Sequence, residues 1–193
     1  HMDLDVEFNG PFPDDLVYGF SQIRSSFCIY SLASNALVLE IGIDKYRVAN
    51  LPIKKSISRS GSKLYVLVGC SVLLIDLELN VLISEFNYFD TDFFKEVISE
   101  RGVSHPVLPY RISACEGGAV ITNASSDGLI MYLGSNGVSL SLLWARKAAS
   151  AIYAENTAGD LIYGIEARKP RAWDKFTGVE VWQASVGTTG NTI

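Results

Sequence analysis

Val, Ile, Leu, Tyr and Phe in this chain fall into short runs, and Gly, Asn, Ser or Asp cuts each run after about five to eight residues. Runs of that length between turn formers read as β-strands rather than helices. They cluster into four groups at a spacing of about 35 to 40 residues. The first group takes in 16–20, 26–31, 36–41 and 46–50, and the second 54–58, 63–68, 71–77 and 81–86. The third takes in 110–114, 118–122, 128–133 and 138–144, and the fourth 150–154, 160–165, 171–174 and 179–184. A unit of four strands, repeated, cannot bury its faces alone and must stack on its neighbours.

That rhythm predicts an all-β chain of four propeller-like blades, each of about four antiparallel strands, spanning about 16–50, 54–86, 110–144 and 150–184 of one 1–193 domain. The fourth group carries the sharpest local signal: Ala172, Asp174, Thr177, Gly178 and Trp182 stand in the order Ala-x-Asp-x-x-Thr-Gly-x-x-x-Trp. Asp followed by Thr-Gly closes a tight hairpin, with Gly taking positive φ. The stretch resembles the repeat of quinoprotein-like (PQQ-repeat-like) β-propellers. The resemblance implies that the Trp packs against the neighbouring blade. It implies fold rather than activity, because the dehydrogenases of that family close larger rings around a cofactor and its metal. No cofactor is therefore expected. The second group keeps a worn copy over 74–80, with Asn80 in the Gly slot, while the first and third keep only the strand rhythm.

One segment breaks the pattern. Residues 90–101 place Phe93, Phe94, Val97 and Ile98 on one side, with Asp90 or Thr91 as cap and Gly102 after the end. This predicts a short amphipathic α-helix inserted between the second and third groups. Insertions in repeat folds usually project from a binding face.

Composition excludes several classes. With 48% hydrophobic and 19% charged residues, the chain can bury a core and is not disordered. The longest apolar stretch, 64–77, is broken by Gly69, Ser71 and Asp76, so no segment reads as a membrane span. The 16 basic residues against 21 acidic ones give a net charge of −5, which argues against nucleic acid as a partner. Cys28, Cys70 and Cys115 are odd in number and widely spaced, which fits reduced thiols in a cytoplasmic protein better than a disulfide framework. Asn123-Ala124-Ser125 matches a glycosylation acceptor, which matters only in a secreted chain. His1-Met2 reads as a vector-derived His before an initiator Met, and the acidic first twenty residues do not suit a signal peptide. A piece of a longer protein is the alternative.

Catalytic motifs are not visible. His105, in a linker after the helix, is the single histidine outside the leading pair, and any Ser-His-Asp or Cys-His system would have to use it. The cysteine spacing makes no zinc pattern. Gly117-Gly118 and Gly134-Ser135-Asn136-Gly137 lead into no helix and read as hairpin turns rather than phosphate loops. The carboxylate pairs Asp14-Asp15 and Asp90 with Asp92 are read as solvated loop acids.

The charge map points elsewhere. Over 84–100, Glu85, Asp90, Asp92, Glu96 and Glu100 face a lone Lys95 and interleave with Phe86, Tyr88, Phe89, Phe93 and Phe94. Acids speed encounter with a basic protein, and aromatic rings anchor it. The expected partner-binding residues are Glu85, Tyr88, Phe89, Asp90, Asp92 and Glu96. The expected role is non-enzymatic: a monomeric, stoichiometric inhibitor of a basic partner, such as an immunity protein that neutralises a nuclease toxin. The alternatives are a propeller scaffold module of a larger assembly and a carboxylate-dependent hydrolase.

Overall fold

The computed structural model describes residues 15–48, 53–101, 109, 111–123, 128–148 and 152–184. Four antiparallel sheets follow one another along the chain. Blade 1 holds β1 (Leu16–Ser21), β2 (Ser26–Ser31) and β3 (Ala36–Gly42). Blade 2 holds β4 (Lys55–Ser60), β5 (Lys63–Val68), β6 (Ser71–Asp76) and β7 (Val81–Asn87), and a helix α1 (Asp92–Arg101) comes after it. Blade 3 holds β8 (Arg111–Cys115), β9 (Gly118–Asn123), β10 (Leu129–Ser135) and β11 (Leu140–Lys147). Blade 4 holds β12 (Ile152–Ala158), β13 (Leu161–Glu166), β14 (Lys169–Asp174) and β15 (Glu180–Gln183). The four-group reading therefore holds, and each blade is a meander of strands paired in sequence order.

The middle strands of each blade are buried on both faces, which is why they read as continuous apolar runs rather than as alternation. One apolar cluster, with Tyr18, Phe20, Ile29, Leu64, Val66, Leu73 and Ile75, lies between blades 1 and 2. A second, with Tyr65, Leu67, Leu74, Ile121, Met131 and Leu133, lies between blades 2 and 3. A third, with Val120, Ile130, Tyr132, Ala154, Ile162 and Trp173, lies between blades 3 and 4. Burying these side chains, each worth about 1.5–3 kcal/mol, holds the row of blades together. Among the described residues no apolar cluster joins blade 4 to blade 1.

The blades share one register. The same backbone bond closes the central hairpin in each: Leu32 N to Asp15 O, Leu77 N to Ser62 O, Ser135 N to Gly117 O and Lys175 N to Asp160 O. Aligned on it, the bulge between third and fourth strands falls at the same place every time, at Ile29, Leu74, Tyr132 and Ala172. A bulge bends and twists a strand, so its repetition gives every blade the same curvature.

This alignment corrects the reading of the first group. β1 stands where β5, β9 and β13 stand, as the second strand of its blade, so the position without a described strand in blade 1 is the inner one. The strand expected over 46–50 is not the fourth. Residues 44–46 instead form a 3₁₀ turn, and 49–50 lie outside the described residues. Local β propensity yields there to packing: Tyr46 is buried, and its carbonyl accepts from Cys70 N at 3.2 Å across the blade interface.

The turn motif proves more widespread than the sequence suggests. Asp174 Oδ1 accepts from Phe176 N, Thr177 N and Thr177 Oγ1 at 3.0, 2.8 and 2.8 Å. Asp76 Oδ1 accepts from Glu78 N and Leu79 N at 2.8 and 3.1 Å, which bears out the worn copy. Blade 1 repeats the plan with Ser31 Oγ accepting from Ser34 N at 3.2 Å. Four residues after each of these side chains comes a residue of positive φ: Asn35, Asn80 and Gly178.

Candidate functional site

The acidic–aromatic strip starts at the end of β7. Asn87 Oδ1 accepts from Phe89 N, opening a 3₁₀ turn at Tyr88–Asp90. Thr91 follows as the cap of α1: its hydroxyl donates to Tyr88 O at 2.6 Å and accepts from Phe94 N at 3.3 Å. The helix therefore begins at Asp92, two residues later than the sequence suggested, because the 3₁₀ turn takes the residues before it. Phe94 and Val97 are buried and Phe93 is packed against the same cluster, as the amphipathic pattern required. The side chain of Ile98 lies outside the described residues.

The strip divides into an acidic outside and an aromatic inside. Asp90, Asp92 and Glu96 are exposed. Asp92 pairs only loosely with Lys95, at 3.6 Å. Glu85 is committed within the fold: it accepts from Lys45 Nζ at 2.9 Å and from the Tyr46 hydroxyl at 2.8 Å. Tyr88 does not offer the surface anchor expected of it. Its ring is 0% exposed, stacked at 5.1 Å from Phe94 and 5.6 Å from Phe89, and its hydroxyl donates to Gly69 O. Burial pushes the phenol well above its ordinary range, so it stays a neutral donor. Phe89 is half-buried on the same ring cluster. The aromatics bury the insertion against the blades, because a ring in the core gains more than one left at the rim.

The remaining candidates scatter. His105 and Asp14 lie outside the described residues, as do residues 124 and 125 of the glycosylation triplet. Cys28 and Cys115 are buried and Cys70 half-buried, all three as free thiols. Burial raises each thiol above its usual range, which leaves them protonated and unreactive. A cleft of about 230 Å³ between blades 1 and 2 is lined by Ser21, Gln22, Ser25, Asp44, Arg47 and Lys55 among others. Arg47 pairs with Asp44 at 3.6 Å and Lys55 sits over the Phe20 ring, so both cations are engaged within the fold. Among the described residues no three His, Cys, Asp or Glu side chains group as a metal site.

The surface that sequence reading missed lies on blade 4. At one register position, Tyr18, Tyr65 and Val120 are each buried by the following blade; two residues on, Phe20, Leu67 and Thr122 are buried too. The blade 4 equivalents, Tyr163 and Ile165, are 39% and 48% exposed. Cross-strand from Tyr163 come Ala172 and then Trp182, which is 52% exposed. Trp182 thus does not meet a neighbouring blade as the motif implied. Its counterpart Trp144, opposite Tyr132, does so: the indole donates to Lys175 O at 2.8 Å and half-buries itself against blade 4. The signal was in the sequence, since Trp144 and Trp182 follow the same strand rhythm, but which blade comes last is a matter of tertiary order.

No protein-family model and no curated protein matches the chain. Solved structures do match. Hsv2 of Kluyveromyces lactis is similar at 10% identity over 91% of this chain and 49% of its own, with a TM-score of 0.56. A chain of the mitotic checkpoint complex is similar at 11% identity over 88% of this chain and 46% of its own, with a TM-score of 0.53. BamB from Moraxella catarrhalis is similar at 10% identity over 88% of this chain and 49% of its own, with a TM-score of 0.50. The chain spans about half the length of these structures. They carry the propeller fold and not the narrower resemblance to quinoprotein-like repeats. The chain is an all-β array of β-propeller blades with one short helix between its second and third blades.

Proposed function

We propose that the chain is a β-propeller scaffold module that binds protein partners through blade surfaces its own fold leaves uncovered. The observation that supports this most directly is the face of blade 4, built at the positions that are buried at the other three blade interfaces and open here. A face of exposed Tyr, Ile and Trp costs solubility unless a partner covers it. A role in binding rather than catalysis goes with this reading, as does a cytoplasmic location for the three reduced thiols. No helix among the described residues is long and apolar enough to cross a membrane.

The narrower reading, an inhibitor of a basic toxin, rests on the strip at 85–96. Its acids stand at the surface, but Tyr88 is buried and Glu85 is held by Lys45 and Tyr46, so the scaffold reading is the better supported of the two. Affinity capture of the tagged chain from its native host, with mass spectrometry of what is retained, separates them. Several subunits recovered together in fixed ratio would support the scaffold. One basic protein recovered one-to-one, and lost when Asp90, Asp92 and Glu96 are all replaced by Lys, would overturn it in favour of the inhibitor.

A further inference from the structure

Blade 4 ends in a strip that is apolar in the middle and oppositely charged at its two ends. Tyr163, Ile165 and Trp182 form the exposed centre, with Pro170 opposite Ile165. The β13–β14 turn supplies the exposed cations Arg168 and Lys169 at one end. Asp160, at the start of β13 on the other end, is 74% exposed and reaches Lys175 only at 3.9 Å. The patch of half-exposed aromatic and aliphatic side chains measures on the order of 500 Å², more than scattered surface residues account for.

We propose that this face pairs with the same face of a second copy of the chain, about a two-fold axis perpendicular to the sheet. The inference rests on the scaffold reading and names its first partner. Two observations favour a twin over any other occupant. An isologous contact brings each strip onto itself reversed, so the Arg168–Lys169 end of one copy meets the Asp160 end of the other. The apolar centre is also self-complementary: reversal lays Trp182 and Tyr163 of one copy across Tyr163 and Trp182 of its partner, a pairing that aromatic edges and faces favour. Trp144 shows what such a tryptophan does when covered: its ring packs on the opposing sheet and its indole N–H finds a carbonyl oxygen at 2.8 Å. With rims included, the contact reaches the roughly 800 Å² per partner of a stable interface.

The test is the mass of the 193-residue chain by size-exclusion chromatography with light scattering, across a concentration series. The dimer runs at about 42 kDa, twice the chain mass of 21.1 kDa. Trp182→Asp is expected to raise the dimer dissociation constant at least about 100-fold, with an unchanged circular dichroism spectrum as the check on folding. Val138→Asp, at an exposed site on blade 3, controls for added charge. The two-fold geometry has its own readout. Arg168→Glu and Asp160→Lys each weaken the dimer about 3- to 10-fold, and the double variant recovers to near wild type. A monomeric wild type at all concentrations, or a double variant weaker than either single one, overturns the twin as occupant. If the monomer still captures subunits from the host and Trp182→Asp abolishes that capture, the dimer fails and the scaffold reading stands. Capture of nothing by a monomer fails both.

Discussion

The indole of Trp144 lies directly over Gly178, so close that a Cβ on that glycine would sit 2.5 Å from Trp144 Cδ2. Gly178 also holds φ at +70°, a backbone conformation that costs an L-residue about 1–2 kcal/mol. The glycine of the turn is thus required twice, once by its own hairpin and once by the blade before it. Gly178→Ala is expected to destabilise the fold by about 2–4 kcal/mol, read from the urea midpoint. In a Trp144→Ala background the same change should cost only about 1–2 kcal/mol, the backbone part alone. Equal costs in the two backgrounds would mean that the ring and the turn do not share the contact.

Tyr88 is the buried counterpart of the missing surface anchor. Its hydroxyl is the donor for Gly69 O in a turn where a Cβ at Gly69 would lie 1.9 Å from Tyr46 O. Tyr88→Phe leaves that carbonyl unsatisfied and is expected to cost about 1–3 kcal/mol in denaturant. Tyr88→Ala adds a cavity against Phe89 and Phe94 and is expected to cost about 3–5 kcal/mol. An effect of Tyr88→Phe on partner capture with no effect on stability would show instead that the hydroxyl is accessible.

Asp76 sets a pH dependence. The Lys63 ammonium, 2.6 Å away, holds its carboxyl below the usual range, aided by the N–H groups of Glu78 and Leu79. A depressed folded-state pKa contributes stability that is fully present above the unfolded value of about 3.9 and is lost as pH falls below it. Asp76→Asn should therefore lower stability by about 1–2 kcal/mol at neutral pH. The gap to wild type should close progressively as pH drops below about 4. Thermal melts from pH 7 to pH 3 would show it, and a gap of constant size would exclude titration as its source.

The exposed acids of the insertion are expected to matter for encounter and not for folding. Replacing Asp90, Asp92 and Glu96 together by Lys should leave the melting temperature within a few degrees. It should also slow association with a captured basic partner about 10-fold or more at low salt. Stopped-flow or surface-binding kinetics at two salt concentrations would decide it, and unchanged on-rates would remove the strip from any docking role.

What the sequence determined by itself is local. Short apolar runs and turn residues marked the strands, and Asp174, Thr177 and Gly178 marked their hairpin, because hydrogen bonds two and three residues apart depend on little beyond the segment that makes them. The same logic placed a helix over Phe93, Phe94 and Val97. Tertiary structure decided the rest. Tyr46 lies in a segment with strand-like composition, yet it turns into a 3₁₀ segment because the Gly69–Cys70 hairpin of the next blade receives its ring and its carbonyl. Tyr88 and Trp182 were read alike, as large aromatics in distinctive surroundings, and ended with opposite fates. Tyr88 has a blade on either side, while Trp182 stands on the last described sheet of the row. Burial of an aromatic side chain depends on what comes next in space, and a repeat cannot encode in its own residues that no further blade follows it.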